Sequence, residues 1–342
     1  MTINMNPEVS VIIPAYNTAG YISQTIESAL EQTLKNIEVI VVDDASTDGT
    51  PEVARSFTDE RLKVFVNPQN LGVAATRNRA LKEAKGRWIA VLDSDDWYAP
   101  ERLEKLLQLP HAQNADIIAD DLFLIRDGED APWSTLINES GEVVAEIKQI
   151  DPQYFVETDV YGQQGLHLGL SKPLFRRDFM LKHDIKYDPL MKVSEDFWLA
   201  LKCLIRGARF FLLPKPYYYY RSRPGSLVYS SKVKRLEQDC QATVAFIDQE
   251  DCLRQKPEVA YALSKNLTVF KKNLAYYRVV DSLKQRQWFR CVIEMVRNPY
   301  FFWHFSIQFP GITNRRIQRY IFGNTAAYDM FYRSKDQKIL KI

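Results

Sequence analysis

Trp88-Ile89-Ala90-Val91-Leu92-Asp93-Ser94-Asp95-Asp96 joins an uninterrupted apolar run to three closely spaced carboxylates. Such a run, stopped by acids, suits a strand buried on both faces of a sheet and ended by a turn. The same punctuation recurs on the N-terminal side. Val9-Ser10-Val11-Ile12-Ile13 stops at Pro14-Ala15-Tyr16, and Ile37-Glu38-Val39-Ile40-Val41-Val42 stops at Asp43-Asp44. Leu62 to Val66 reads as a further strand. Helical spacings fill the gaps: Ile22, Ile26, Ala29 and Leu30, then a segment opened by Thr50-Pro51, then Val73 to Ala84. Proline is tolerated in a first helical turn, where its missing N–H costs nothing. Strands alternating with helices predict parallel βαβ units and an α/β sheet covered on both faces. Ligands of such sheets collect outside the carboxyl ends of the strands. The ends at Pro14-Ala15-Tyr16, Asp43-Asp44 and Asp93-Ser94-Asp95-Asp96 therefore mark the expected site.

Beyond Pro100 the pattern loosens. A helix is expected over Glu101 to Leu109 and a strand near Ile117-Ile118. Residues from about Arg126 to Leu166 are polar and irregular, as loops that carry specificity are. Val193 to Leu204 has helical periodicity, with Ser194-Glu195-Asp196 in a capping position. Phe210 to Leu213 and Tyr217 to Tyr220 read as a strand pair that runs into Arg221-Ser222-Arg223-Pro224-Gly225-Ser226. From Lys232 onward the spacing is helical, apart from Pro299 to Gly311.

With 342 residues, 46% of them hydrophobic, and 45 basic against 43 acidic side chains, the chain has ample core and excludes a disordered protein. The balance hides an asymmetry. Residues up to Tyr229 carry 25 basic and 33 acidic groups, and those after it carry 20 basic and 10 acidic. Cys203, Cys240, Cys252 and Cys291 form no CxxC pair, which fits buried thiols in a reducing compartment. No basic and apolar leader precedes the first strand, and no uncharged stretch reaches the roughly 20 residues of a membrane span. The chemistry is expected on the cytosolic side, with no nucleic-acid partner.

Three acids at Asp93, Asp95 and Asp96 repel one another and call for a cation or protons. Hard oxygen ligands on a loop suit Mn²⁺ or Mg²⁺, completed by water and a substrate diphosphate. The same cluster also serves as a solvated turn that caps the helix near Pro100. In Asp43-Asp44-Ala45-Ser46-Thr47-Asp48-Gly49-Thr50, an acid ending a strand can accept hydrogen bonds from a nucleobase or ribose, although Ser46, Thr47 and Asp48 equally suit helix capping. Arg77, in Asn70-Leu71-Gly72-Val73-Ala74-Ala75-Thr76-Arg77-Asn78, has the planar fork that grips phosphate, and is otherwise a surface arginine.

Taken together, these elements in this order resemble family 2 glycosyltransferases of the GT-A fold. Val9 to Asn17, the Asp43 to Thr50 run, Asn70 to Asn78 and Gly86 to Asp96 carry the likeness. Glu195-Asp196 before Phe197-Trp198-Leu199, and the aromatic strand entering Arg221 and Arg223, continue it over roughly the first 230 residues. The resemblance implies a base pocket lined by Pro14, Ala15 and Tyr16, with Asp44 holding the nucleobase, usually uracil. It implies that Asp93-Ser94-Asp95 is a DxD motif, with Asp95 on the metal and Asp93 beside the ribose or diphosphate; Arg77 is a further donor-side residue. Asp196 is the implied general base of an inverting transfer, and Arg223 of the segment that closes over the diphosphate. One base suffices, because the acceptor hydroxyl must lose a proton whereas the diphosphate leaves without needing one. An acidic first turn that favours the helix dipole is the structural reading of Glu195-Asp196.

Rival classes lack their signatures. A dinucleotide-binding protein needs G-x-G-x-x-G after the first strand, where this chain has Pro14-Ala15-Tyr16-Asn17. A sugar-nucleotide pyrophosphorylase needs a glycine-rich loop there, and an Asp-x-Asp-x-Thr phosphatase meets Trp97 in place of threonine. A non-catalytic nucleotide-sugar-binding or assembly protein on the same fold is the alternative. The expected organisation is a mixed GT-A sheet over 1–229, divided near 110 into nucleotide-sugar and acceptor halves, and a helical, basic, aromatic-rich extension over 230–342. In the extension, Asn298 to Asn314 holds Tyr300, Phe301, Phe302, Trp303, Phe305 and Phe309 without any charge, between Arg297 and Arg315, Arg316 and Arg319. That pattern predicts an interfacial segment on an anionic membrane, with packing on the catalytic domain or a homodimer interface as the other reading. The expected partners are a nucleotide-sugar donor and a saccharide or lipid-linked saccharide acceptor.

Overall fold

A computed structural model describes residues 6–129, 131–189, 191, 194–223, 232–298, 301–302, 305–306 and 313–314. The chain divides into two compact units, Met1–Asp159 with Gly165–Pro224, and Val160–Gln164 with Gly225–Ile342.

The first unit is built on a ten-stranded mixed sheet in the order β3-β2-β1-β4-β9-β6-β10-β5, with β7 beside β6 and β8 beside β10. Its strands are β1 (Val9–Ala15), β2 (Ile37–Asp43), β3 (Leu62–Val66), β4 (Trp88–Val91), β5 (Trp97–Tyr98), β6 (Ile117–Arg126), β7 (Ser134–Thr135), β8 (Lys148–Ile150), β9 (Leu174–Arg176) and β10 (Phe210–Ser222). Its helices are α1 (Ile22–Leu30), α2 (Thr50–Arg55), α3 (Val73–Glu83), α4 (Arg102–Leu107), α5 (Leu136–Ser140), α6 (Pro152–Glu157), α7 (Arg177–Lys182) and α8 (Glu195–Ile205). β1, β2, β3 and β4 run parallel, and every residue of β1, β2 and β4 is buried, as strands covered on both faces require. β3, at the edge, is half-buried along its length.

β1 lies between β2 and β4, so their carboxyl ends are neighbours. Asp44 donates its backbone N–H to Ala15 O at 2.8 Å, and Leu92 donates to Ile12 O at 3.0 Å. Beyond β4 the direction reverses: β9 pairs antiparallel with both β4 and β6. The acids after β2 and β4 thus flank the end of β1, the topological switch point where ligands bind.

Two expectations need correction. Phe210 to Tyr220 is one strand of a parallel pair with β6, not a strand pair; its register slips between Leu213 and Pro216 and again between Pro216 and Tyr218. Pro214 and Pro216 have no N–H to give the ladder, so β10 bulges there without ending. The region from Arg126 to Leu166 is less irregular than its polarity suggests. It holds short elements with local caps: Thr135 Oγ1 accepts from Asn138 N at the start of α5, and Asp151 Oδ1 from Tyr154 N at the start of α6. Ser194 does occupy the N-cap of α8, in a left-handed conformation, but its side chain makes no capping hydrogen bond.

The second unit contains α9 (Lys232–Gln249), α10 (Pro257–Lys284) and α11 (Trp288–Arg297). α11 rests on α10 through Cys291, which clusters with Val279 and Phe301 beside Tyr276 and Met295. Tyr300, Trp303, Phe309, Arg315, Arg316 and Arg319 of the expected interfacial segment lie outside the described residues.

Candidate active site

At the end of β1, Pro14 and Ala15 are buried in the sheet, so of the three expected pocket residues only Tyr16, 48% exposed, offers its side chain outward. Asp43 and Asp44 divide their labour. Asp43 accepts from Ser46 N at 2.9 Å and Ser46 Oγ at 2.5 Å, which shapes the turn after β2. Asp44, buried, gathers the loop before α3: Oδ1 accepts from Asn67 Nδ2 at 2.7 Å and Leu71 N at 2.9 Å, and Oδ2 from Gly72 N at 2.8 Å. A carboxylate has about four acceptor positions, and these three donors fill most of them.

The acids after β4 have three different environments. Asp93 Oδ1 accepts from Arg77 Nη2 at 2.7 Å, and Oδ2 lies 2.9 Å from Lys172 Nζ. Burial alone would raise this carboxyl, but Lys172 and Arg77 outweigh it and hold it well below the usual carboxylate range. Ser94 is buried between the acids. Asp95 meets Arg223, whose Nε donates to Oδ2 at 2.5 Å. Burial and the charge of Asp93 push the Asp95 carboxyl up against that pairing. Asp96 is wholly buried, accepting from Tyr218 Oη at 2.7 Å and Arg221 N at 2.8 Å. Burial, with Asp95 and Asp93 nearby, lifts it far above the ordinary value.

β10 supplies the other wall. Arg221 Nε donates to Asp95 O at 2.9 Å, and the Tyr21 ring lies 5.1 Å from the Arg221 guanidinium and 5.0 Å from that of Arg223. Arg223 thus closes the Asp95 side of the strand-end cluster.

Arg77 departs from the expected phosphate fork. It is 1% exposed, and its guanidinium is taken up by carboxylates: Nη1 donates to Glu195 Oε1 at 2.8 Å and Asp196 Oδ1 at 2.9 Å, and Nη2 to Asp93. The opening of α8 is thereby tied to the end of β4. Asp196 also accepts from Tyr187 Oη at 3.1 Å and Lys172 Nζ at 2.5 Å. Asn78, next to Arg77, fixes the backbone of Tyr187 from both sides: Nδ2 donates to Tyr187 O at 2.7 Å and Oδ1 accepts from Tyr187 N at 2.9 Å. Lys172 and Tyr187 were not among the residues singled out in the sequence. A lysine before a short strand and a tyrosine in a loop have no motif spacing, and only the fold brings them to Asp196.

Among the described residues, no group of three or more histidine, cysteine, aspartate or glutamate side chains surrounds one point as a metal cage. A cation here would rest on Asp95, a hard oxygen donor, and on phosphate oxygens brought by the ligand.

The mixed sheet flanked by helices is the GT-A fold. TarS 1-349 of S. aureus, solved with UDP-GlcNAc, superposes with a TM-score of 0.56 at 21% identity over 86% of this chain and 92% of that 1-349 chain. A mannosyltransferase of Pyrobaculum calidifontis, solved with GDP-Man and Mn²⁺, gives 0.53 at 19% over 88% and 84%. In sequence, the glycosyl transferase family 2 model matches residues 10–180. The succinoglycan biosynthesis protein ExoO of Rhizobium meliloti (strain 1021) is 30% identical over 93% of this chain and 90% of its own length. The chain belongs to glycosyl transferase family 2, and the activity that follows is that of a glycosyltransferase.

Proposed function

We propose that the enzyme transfers a sugar, with inversion, from a UDP-sugar to a hydroxyl of a saccharide or lipid-linked saccharide during polysaccharide assembly. One observation carries the reading: Asp93 of the donor loop and Asp196 of α8 are held by the same two cations, Arg77 and Lys172. This coupling supports the reading of Asp196 as a proton acceptor beside the donor. In the reaction the acceptor hydroxyl gives its proton to Asp196 while its oxygen bonds to the anomeric carbon. The bond from that carbon to the diphosphate breaks, and the electron pair leaves on phosphate. Tyr16, Asp44 and the buried backbone of Pro14 and Ala15 would receive the base; Arg223 and Ser94 would face the diphosphate. Asp95 would hold Mn²⁺ or Mg²⁺, which supplies neutralisation of the leaving diphosphate when bound. The UDP-GlcNAc of TarS and the Mn²⁺ of the mannosyltransferase are consistent with that donor and that metal.

The test is hydrolysis and transfer with a panel of UDP-, GDP- and dTDP-sugars in the presence and absence of Mn²⁺. Turnover of a UDP-sugar and an inverted linkage by NMR are expected. A retained linkage would overturn the single-base mechanism. Tight UDP binding without turnover on any acceptor would establish a non-catalytic nucleotide-sugar-binding protein.

We also propose that the enzyme attaches peripherally to anionic membrane at the cytosolic face. Among the described residues no helix is long and apolar enough to cross a membrane. The support is α11, which exposes Trp288, Phe289, Val292 and Val296 beside Arg290 and Arg297.

A further inference from the structure

Lys172 lies between the turn at Leu168–Leu170 and β9, and its side chain is only 7% exposed. A buried ammonium is costly unless it is fully paired. Its pairing is specific. Nζ lies 2.5 Å from Asp196 Oδ2 and 2.9 Å from Asp93 Oδ2, while Arg77 contacts Oδ1 of the same two carboxylates at 2.9 and 2.7 Å. Each carboxylate is therefore gripped at both oxygens by one shared pair of cations. The two acids outweigh burial and keep the ammonium charged.

The grip on Asp196 is uneven. Arg77 and Tyr187 both bind Oδ1, and among the described residues Lys172 is the one partner of Oδ2. Without Lys172 the carboxylate keeps its Oδ1 contacts but loses what fixes its other oxygen. The Lys172 backbone is anchored independently: its carbonyl accepts from Arg102 Nη2 at 2.6 Å, and Arg102 is locked by buried Asp120 at 2.7 Å and covered by the rings of Tyr98 and Tyr218. Lys172 is thus placed by the core of the sheet, not by the carboxylates it serves.

We infer that Lys172 is a positioning residue for transfer, fixing the Oδ2 of the base Asp196 in register with the donor-loop carboxylate Asp93. The inference rests on the proposed role of Asp196. A base must be within hydrogen-bond reach of the proton it takes, and a displacement of about 1 Å costs about a hundredfold in rate. Lys172 acts before and during proton transfer without touching the sugar, so its loss should fall on kcat and spare donor binding.

The test is a mutant cycle in the full chain: Lys172→Met, Asp196→Asn and the double variant, assayed with the UDP-sugar that the wild type turns over fastest. Lys172→Met should lower kcat by about 10²-fold with donor KM within about threefold. In the Asp196→Asn background the same change should cost less than about threefold, because the residue it positions is already gone. Lys172→Arg keeps the charge and should restore part of the lost kcat. Should Lys172→Met melt out at assay temperature, the cycle is run with Lys172→Arg, which must show the same non-additivity. Additive losses, or a donor KM that rises while kcat holds, overturn the inference. A wild type that turns over no donor overturns the functional reading and this inference together; an active wild type with an additive cycle overturns this inference alone.

Discussion

Asp95 and Asp96 are neighbours in the chain with opposite surroundings. Asp95 is partly open and meets a single guanidinium, whereas Asp96 is sealed under Tyr218 and the backbone of Arg221. Asp95→Ala should therefore abolish Mn²⁺-dependent turnover and weaken UDP binding together, because a cation there bridges protein and phosphates. Calorimetric UDP titration with and without Mn²⁺ checks this, and unchanged metal-dependent affinity would count against the assignment. Asp96→Asn should be mild. Burial already favours the uncharged form of this carboxyl, and an amide of the same shape can meet Tyr218 and the Arg221 N–H. Turnover within about tenfold of wild type is expected, and a loss as deep as that of Asp95→Ala would show that Asp96 acts as an anion. Much of this contrast was hidden in the sequence. The Asp93 to Asp96 cluster was visible as chemistry, but which acid faces a ligand depends on β10, more than a hundred residues away. The partners of Arg77 were hidden for the same reason: a planar fork suits phosphate and carboxylate alike, and its partners on α8 are distant in sequence.

Between elements, Glu38 joins three strands and the turn before β4. Its Oε1 accepts from Ser10 Oγ on β1 and from Lys85 N before β4, each at 2.7 Å, and its Oε2 from Lys63 Nζ on β3 at 2.7 Å. Burial alone would raise this carboxyl, but Lys63, Ser10 and Lys85 outweigh it and hold it below the ordinary glutamate value. A depressed folded value means stability that is present above the unfolded value, about 4.3, and lost as pH falls through the folded one. Glu38→Gln should therefore cost about 1.5–3 kcal/mol at pH 7 in urea unfolding, with the gap from wild type narrowing below pH 4. A gap that stays constant with pH would show that the carboxylate charge contributes nothing. Gly86 closes the same corner: its N–H donates to Ser10 Oγ at 2.7 Å, and a Cβ there would collide with the Ser10 and Val9 backbone. Gly86→Ala should cost about 1–3 kcal/mol by the same measurement, and an unaltered urea midpoint would mean the corner can relax. β1, β2 and β4 were legible because a strand buried on both faces is apolar over most of its length, and β3 because of its short run of mostly apolar residues. β10 was not, since its two prolines look like a break when the chain is read alone. The capped turns of α5 and α6 were too short for any periodicity to mark.

Across the whole molecule, charge separates along the chain. Residues up to Tyr229 have an excess of acids and those after it an excess of bases. The sequence located the apolar surface of the second part at Asn298 to Asn314; among the described residues its clearest expression is α11 just before it. Cys291 faces α10, whereas Phe289 is 82% and Val296 77% exposed, with Trp288 and Val292 on the same stripe. Spacing explains both the surface and why it was missed: the stripe recurs at helical intervals within a segment interrupted by Arg290, Glu294 and Arg297. Lys284, Arg286, Arg290 and Arg297 lie on or beside α11 with Glu294 as the sole acid from 284 to 298, a charge pattern suited to anionic headgroups. Each such cation near the surface contributes about 1 kcal/mol of attraction and is screened by salt. Full-length protein should therefore float with vesicles containing phosphatidylglycerol at low salt and be released at high salt. Phe289→Ser with Val296→Ser should abolish flotation while leaving UDP-sugar hydrolysis intact, because neither side chain belongs to the transfer site. Wild-type protein that ignores anionic vesicles and sediments as a stable dimer, dissociated by the same two substitutions, would instead make the stripe a contact between two copies of the chain.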